Sequence, residues 1–172
     1  MDGIQKLTCD QSGKLGERLL LKICDASGIV REYYGDRNSS TTDDGNVYDV
    51  LMDVDGRRFR IEVKTARLSS TGYNFQHESL RNDRGSDFWI FIDIEPEKIH
   101  VIVLKDFDLE ERHPVLGRKP HLRKESTNTY KLDVGPRTIQ KAREAGISMT
   151  FSNDDPETLK QVGSFITDVI TR

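Results

Sequence analysis

Asp49 and the triplet Glu62-Val63-Lys64 are the residues of this chain whose types and spacing best suit chemistry. Twelve residues separate the two carboxylates, and Asp55-Gly56, lying between them, is a signal for a two-residue hairpin turn. With that turn, Val54 faces Arg57, Asp53 faces Arg58, Leu51 faces Arg60 and Asp49 faces Glu62. Directly opposed residues share a face of the hairpin. Asp49, Glu62 and Lys64 therefore project from one side, and Val50, Met52, Phe59, Ile61 and Val63 from the other. Like charges set head on are destabilising, so this arrangement calls for a compensating cation. Mg2+ meets that need, because it prefers hard oxygen ligands: one or two carboxylates, completed by waters and phosphate oxygens. Lys64, on the same face, would stand beside the metal and a phosphate. There it could position or deprotonate a water, or stabilise developing negative charge.

The elements that must position these residues can be read from periodicity. Ser12 can cap a helix carrying Leu15, Leu19, Leu20, Ile23 and Cys24 at helical spacing, with Gly28 near its stop and Glu17 at the edge of the apolar stripe. Residues 35–45 are polar and glycine-rich and read as a surface loop. The period then changes to two through the hairpin. A polar stretch with Gln76, His77 and Glu78 follows. Phe88 to Ile94 is nearly continuous in apolar residues, which suits a strand buried on both faces. A further strand runs from Ile99 to Leu104, and residues 105–135 read as irregular. Pro136 opens a short helix, Ile147 to Phe151 is strand-like, and Asp155-Pro156-Glu157 caps a last helix with an apolar stripe. The expected fold class is α/β (α+β), with a central mixed β-sheet flanked by helices.

Asp49, its interval, and Glu62-Val63-Lys64 at the end of the second hairpin strand resemble the PD-(D/E)XK signature of the restriction-endonuclease-like nucleases. Tyr48 stands where the motif's name has proline. The resemblance covers residues 12–104, a restriction-endonuclease-like core. It implies one nuclease domain over residues 1–172, with a C-terminal helix-strand-helix extension over about 135–172. It further implies that Asp49 and Glu62 are metal ligands, the carbonyl of Val63 a third, and Lys64 the catalytic lysine. Glu17 matches a glutamate on the first helix of that fold that contributes to the metal site, and Gln76 would contact the active site or DNA. The implied cofactor is Mg2+, with Mn2+ able to substitute, and the implied products carry 5'-phosphates.

The implied partner is DNA, with no nucleotide cofactor. From Arg112 to Lys124 the chain holds Arg112, Arg118, Lys119, Arg123 and Lys124 and no acidic residue, in a protein of net charge −3. Such a loop can follow a phosphate backbone, and Arg67 adds charge near the hairpin. A chain of 172 residues has room for one such site, so cutting two strands would take a homodimer with two-fold symmetry. A restriction-type endonuclease leads this reading. A Holliday junction resolvase and a homing endonuclease follow, and a catalytically inactive DNA-binding module on the same fold is the alternative from another class.

Composition bounds these readings. The slight excess of acid argues against a protein that coats nucleic acid nonspecifically, because such binding needs surplus Lys and Arg. No stretch reads as a signal peptide or membrane span, so the expected location is cytoplasmic. Cys9 and Cys24 lack partners at metal-finger spacing and read as reduced, partly buried thiols. The histidines, His77, His100, His113 and His121, form no metal spacing and read as surface or loop residues.

Overall fold

The computed structural model describes residues 9–35, 47–70, 72–81, 85–123 and 129–172. Its architecture is mixed α+β: a six-stranded mixed sheet with helices packed on one face and a second, three-stranded sheet with one helix on the other. The elements run α1 (Cys9–Ser27), β1 (Val30–Tyr33), β2 (Val50–Val54), β3 (Arg57–Arg67), β4 (Phe75–Leu80), β5 (Phe88–Ile94), β6 (Ile99–Lys105), β7 (His121–Leu122), β8 (Tyr130–Val134), α2 (Pro136–Glu144), β9 (Ser148–Phe151) and α3 (Pro156–Thr171). The large sheet has the order β1-β2-β3-β5-β6-β9 and the small one β4-β8-β7. Only β3 and β5 pair in parallel; the other neighbours are antiparallel.

The hairpin forms in the expected register from Val54 opposite Arg57, through Asp53 opposite Arg58 and Leu51 opposite Arg60, to Val50 opposite Ile61, but the regular ladder stops there and does not pair Asp49 with Glu62, because the Asp49 N–H bonds Ile61 O instead. Asp55 and Gly56 have φ of 54° and 73°, the left-handed pair that a twisted two-residue hairpin demands, and the Asp53 carboxylate accepts the Gly56 N–H. Every residue of β5 is buried, as a central strand covered on both faces must be. The chain that follows β8 completes the sheet rather than hanging from it. β9 pairs with β6, and α3 puts Leu159, Val162, Ile166, Val169 and Ile170 into the core shared with α1. Its N-cap Asp155 accepts the Thr158 N–H, which lowers the pKa of its carboxyl.

Several expectations are corrected. Ser12 is not the cap of the first helix; that helix already runs from Cys9, and Ser12 lies buried within it. β1 is an extra edge strand whose four residues are too few to show a period. The polar stretch around His77 is strand β4, and the segment 105–135 contains β7 and β8, whose alternation covers only two and five residues. There are two apolar clusters, one on each face of the large sheet. His77 and His100 are buried, because their strands face the second cluster and the edge of β9. Cys24 is wholly buried, and burial pushes its thiol up to about 12, which makes it inert at neutral pH. Apart from Gly35, the loop over 35–45 lies outside the described residues, as does the side chain of Cys9.

Helix α1 reaches β3 through a glycine. A Cβ on Gly16 would stand 1.8 Å from Thr65 Oγ1, whereas a Cβ on Gly13, one turn earlier, meets nothing within 4 Å. Gly16→Ala should therefore force the helix off the strand and cost about 1–3 kcal/mol. Gly13→Ala, which only removes backbone freedom, should gain about 0.5–1 kcal/mol. Thermal melts of the two variants check this; a Gly16→Ala protein as stable as the parent would contradict the packing.

Candidate functional site

The site is built on the rung where the hairpin ladder ends. Asp49 precedes β2 and its N–H reaches Ile61 O at 3.0 Å, one residue out of the regular register. This shift lets its side chain turn back, and Asp49 Oδ2 accepts the Val63 N–H at 2.8 Å. The carboxylate thus takes the place of a strand carbonyl. Glu62, beside it on β3, is 0% exposed and lies against Trp89 of β5. Lys64 Nζ sits 2.8 Å from Glu62 Oε1, with its side chain 17% exposed. The lysine side chain therefore keeps some exposure where the carboxylate beside it has none. The mutual repulsion expected of Asp49 and Glu62 is answered within the protein, by a backbone N–H for one and a lysine for the other.

The face carrying Glu62 and Lys64 is covered by the second sheet, which periodicity in β3 alone could not reveal. Lys64 lies beside Phe91 and Ala66 beside Asp93 in the β3–β5 register. From β4, His77 stacks on Phe91 with ring centroids 4.4 Å apart and places Nε2 2.7 Å from Asp93 Oδ1. Both partners are fully buried. This pair ties the small sheet to the large one directly behind Lys64, and it is the feature of the site that sequence reasoning missed. The signal available was a histidine at strand spacing between Phe75 and Leu80, hidden by the polar neighbours Gln76 and Glu78.

The other candidate residues are placed as follows. Glu17 accepts the hydroxyl of Tyr33, close to Gly35. Among the described residues, no three His, Cys, Asp or Glu side chains converge as a ligand set, so Glu17 does not join Asp49 and Glu62 in one cluster. Gln76 is exposed and, alternating with buried His77, projects from the outer face of β4. Val63 faces the helix-side core, and its N–H serves Asp49. Arg67 ends β3, half-buried. Arg123 lies 3.7 Å from Glu78, and Lys131 lies 3.9 Å from the same side chain. Arg112, Arg118 and Lys119 are exposed on the loop between β6 and β7, whereas Lys124 lies outside the described residues.

One rung from Asp49 begins an open groove of about 740 Å3, lined on one side by Tyr34, Tyr48, Leu51, Arg58 and Arg60. Arg60 is held by Asp87 through Nε and Nη2, at 3.1 and 2.7 Å, and Arg58 by Glu32 at 2.6 Å. The groove continues past the hairpin to Arg57, Lys105 and Arg172.

The sequence matches no family model and no curated protein. A solved structure of a bacterial homing endonuclease, I-Ssp6803I, is similar to the chain at 16% identity, with a TM-score of 0.48, over 94% of this chain and 98% of that one. Among the described residues, no helix is long and apolar enough to cross a membrane.

Removing the ring of His77 leaves the Asp93 carboxylate buried without its hydrogen bond, so His77→Ala should cost about 3 kcal/mol. Replacing both partners, His77→Phe with Asp93→Leu, should recover most of that loss, because an apolar pair of similar volume needs no partner. Urea unfolding of the single and double variants measures this, and a single variant costing under about 1 kcal/mol would remove the pair as the tie between the sheets.

Proposed function

We propose that this chain is a divalent-metal-dependent DNA endonuclease on a restriction-endonuclease-like core, cutting phosphodiester bonds as a restriction-type homodimer. The observation that carries this reading is that Glu62 and Lys64 share a face of β3, with Lys64 Nζ 2.8 Å from Glu62 Oε1, while Asp49 is anchored to the N–H of Val63 between them. The donor set fits Mg2+ or Mn2+: a carboxylate on β3 and one from the residue that leads into β2, to be completed by water and phosphate oxygens. Asp49 and Glu62 would hold the ion, with the Val63 carbonyl as a third donor. When bound, the metal would neutralise charge on the attacked phosphate and on the departing 3' oxygen.

The remaining work falls to the chain's own groups. An ammonium has three donors; Glu62 takes one side of Lys64 Nζ, and the other donors would serve a phosphate oxygen or the attacking water. Among the roles open to this lysine, that favours orienting the water and stabilising charge on the phosphate. The anchoring of Asp49 on the Val63 N–H holds its carboxylate in place before charge develops. The basic loop at Arg112, Arg118 and Lys119 supplies contacts to the DNA backbone away from the scissile bond. Two copies related by a two-fold axis would address both strands.

Incubation with supercoiled plasmid and with a four-way junction, in Mg2+ and in EDTA, tests the reading. Metal-dependent cutting should fall at least about a hundredfold in Lys64→Ala and in Glu62→Gln, both verified as folded. Discrete plasmid fragments support the restriction role, and preference for the junction points to resolution instead. Equal cutting by parent and variants would remove these residues from the chemistry, while duplex binding with no cutting would leave a DNA-binding module.

A further inference from the structure

Two cationic side chains from different elements converge on one glycine in the layer opposite α1 and α3. The loop after β6 folds back on itself: Arg112 Nε donates to Gly117 O at 2.8 Å, Gly117 N–H to His113 O at 2.8 Å, and His113 N–H to Arg118 O at 3.0 Å. Leu116 anchors it in the second core, and its N–H donates to His113 Nδ1 at 3.2 Å. Gly117 has φ of 64°, a conformation that favours a residue without Cβ. The position that a Cβ would take lies 3.5 Å from Lys141 Nζ, on α2, and 3.8 Å from Arg112 Nη2. Among the described residues neither cation is ion-paired. Neighbouring carboxylates are engaged elsewhere, Glu110 by the Tyr130 hydroxyl at 3.1 Å and Glu144 by Gln140 Nε2 at 2.9 Å. Two like charges aimed at one point by a tied loop and a helix repel each other unless an anion lies between them.

We infer that Arg112, Gly117 and Lys141 form a preorganised site for one backbone phosphate of duplex DNA, separate from Asp49, Glu62 and Lys64. The inference rests on the nuclease reading for its choice of polyanion and goes beyond it in defining a built contact that includes α2. Arginine presents a planar fork to two phosphate oxygens, and lysine adds a point charge. Gly117 leaves the space between them open for a third oxygen. Arg118 and Lys119 continue the track on the same loop.

The test is fluorescence anisotropy of the full chain with a short labelled duplex, in EDTA to prevent hydrolysis, across a salt series. For the pair Arg112→Ala with Lys141→Ala, the slope of log affinity against log salt should shrink by about 1, with binding about tenfold weaker at low salt and an unchanged melting temperature. Lys160→Ala, on the exposed side of α3, should leave the slope as it was. An unchanged slope in the double variant overturns the site. Inorganic phosphate that raises the melting temperature of the parent but not of the double variant, with no duplex bound, overturns its assignment to DNA. Cleavage separates the two proposals: a protein that cuts with an unaltered slope loses this site alone, and one that shows the slope change without cutting loses the nuclease reading alone.

Discussion

A carboxylate buried in the middle of a sheet must have its charge answered on the spot, and that requirement at Glu62 organises the centre of this molecule. The alternation of β3 gives one face to the helix-side core and leaves Arg58, Arg60, Glu62 and Lys64 on the other. Where that face is open, at Arg58 and Arg60, carboxylates from Glu32 and Asp87 meet the charges near solvent. Where the second sheet closes over it, Glu62 has Lys64, two residues along the same strand and on the same side. Isolated, the buried carboxylate would be costly by several kcal/mol; with the ammonium of a partly exposed lysine beside it, it becomes a fixed negative site next to a positive one. A pairing of that kind stabilises little on balance, and its place at the end of a ladder argues for a use other than stability.

The surroundings of that pair are rigid in a way that chemistry could use. Asp49 is held by a main-chain N–H of the strand beside it. Behind Lys64, Phe91 is clamped by the ring of His77, which is itself bonded to Asp93. On the opposite face, Gly16 lets α1 approach Thr65, the residue next to Lys64, more closely than any side chain would permit. Three independent contacts thus converge on three consecutive residues of β3, Val63, Lys64 and Thr65, which is how a site on a strand keeps its geometry.

The hairpin was legible in the sequence from its turn out to Val50 and Ile61, because a two-residue Asp-Gly turn fixes the register and period-two alternation assigns the faces; the irregularity at Asp49 was not, because nothing local marks it. The same holds for β5, whose unbroken apolar run announced burial on both sides, and for the caps of the last helix. The small sheet was not legible. Its strands are short, broken by an irregularity between His77 and Leu80, and polar on their outer side, so local pattern carries almost no signal. Glu17 was readable as a helix-edge acid, but its contact with Tyr33 depends on β1, an edge strand formed by pairing and not by its own periodicity.

By itself, then, the sequence determined which residues from 50 to 61 oppose one another across the hairpin, which strand lies at the centre, and that Glu62 and Lys64 share a face of β3, since all of these follow from chain geometry over a few residues. Tertiary structure alone decided that this face is roofed by a second sheet, that Lys64 neutralises Glu62, that His77 points inward and Gln76 outward, and that Lys141 meets Arg112 over Gly117. Three of these depend on segments far apart in the chain being packed together; the fourth, the need of Glu62 for its near neighbour Lys64, arises from burial, which turns a solvated charge into one that must be paired and is a property of the packed layers and not of any local stretch.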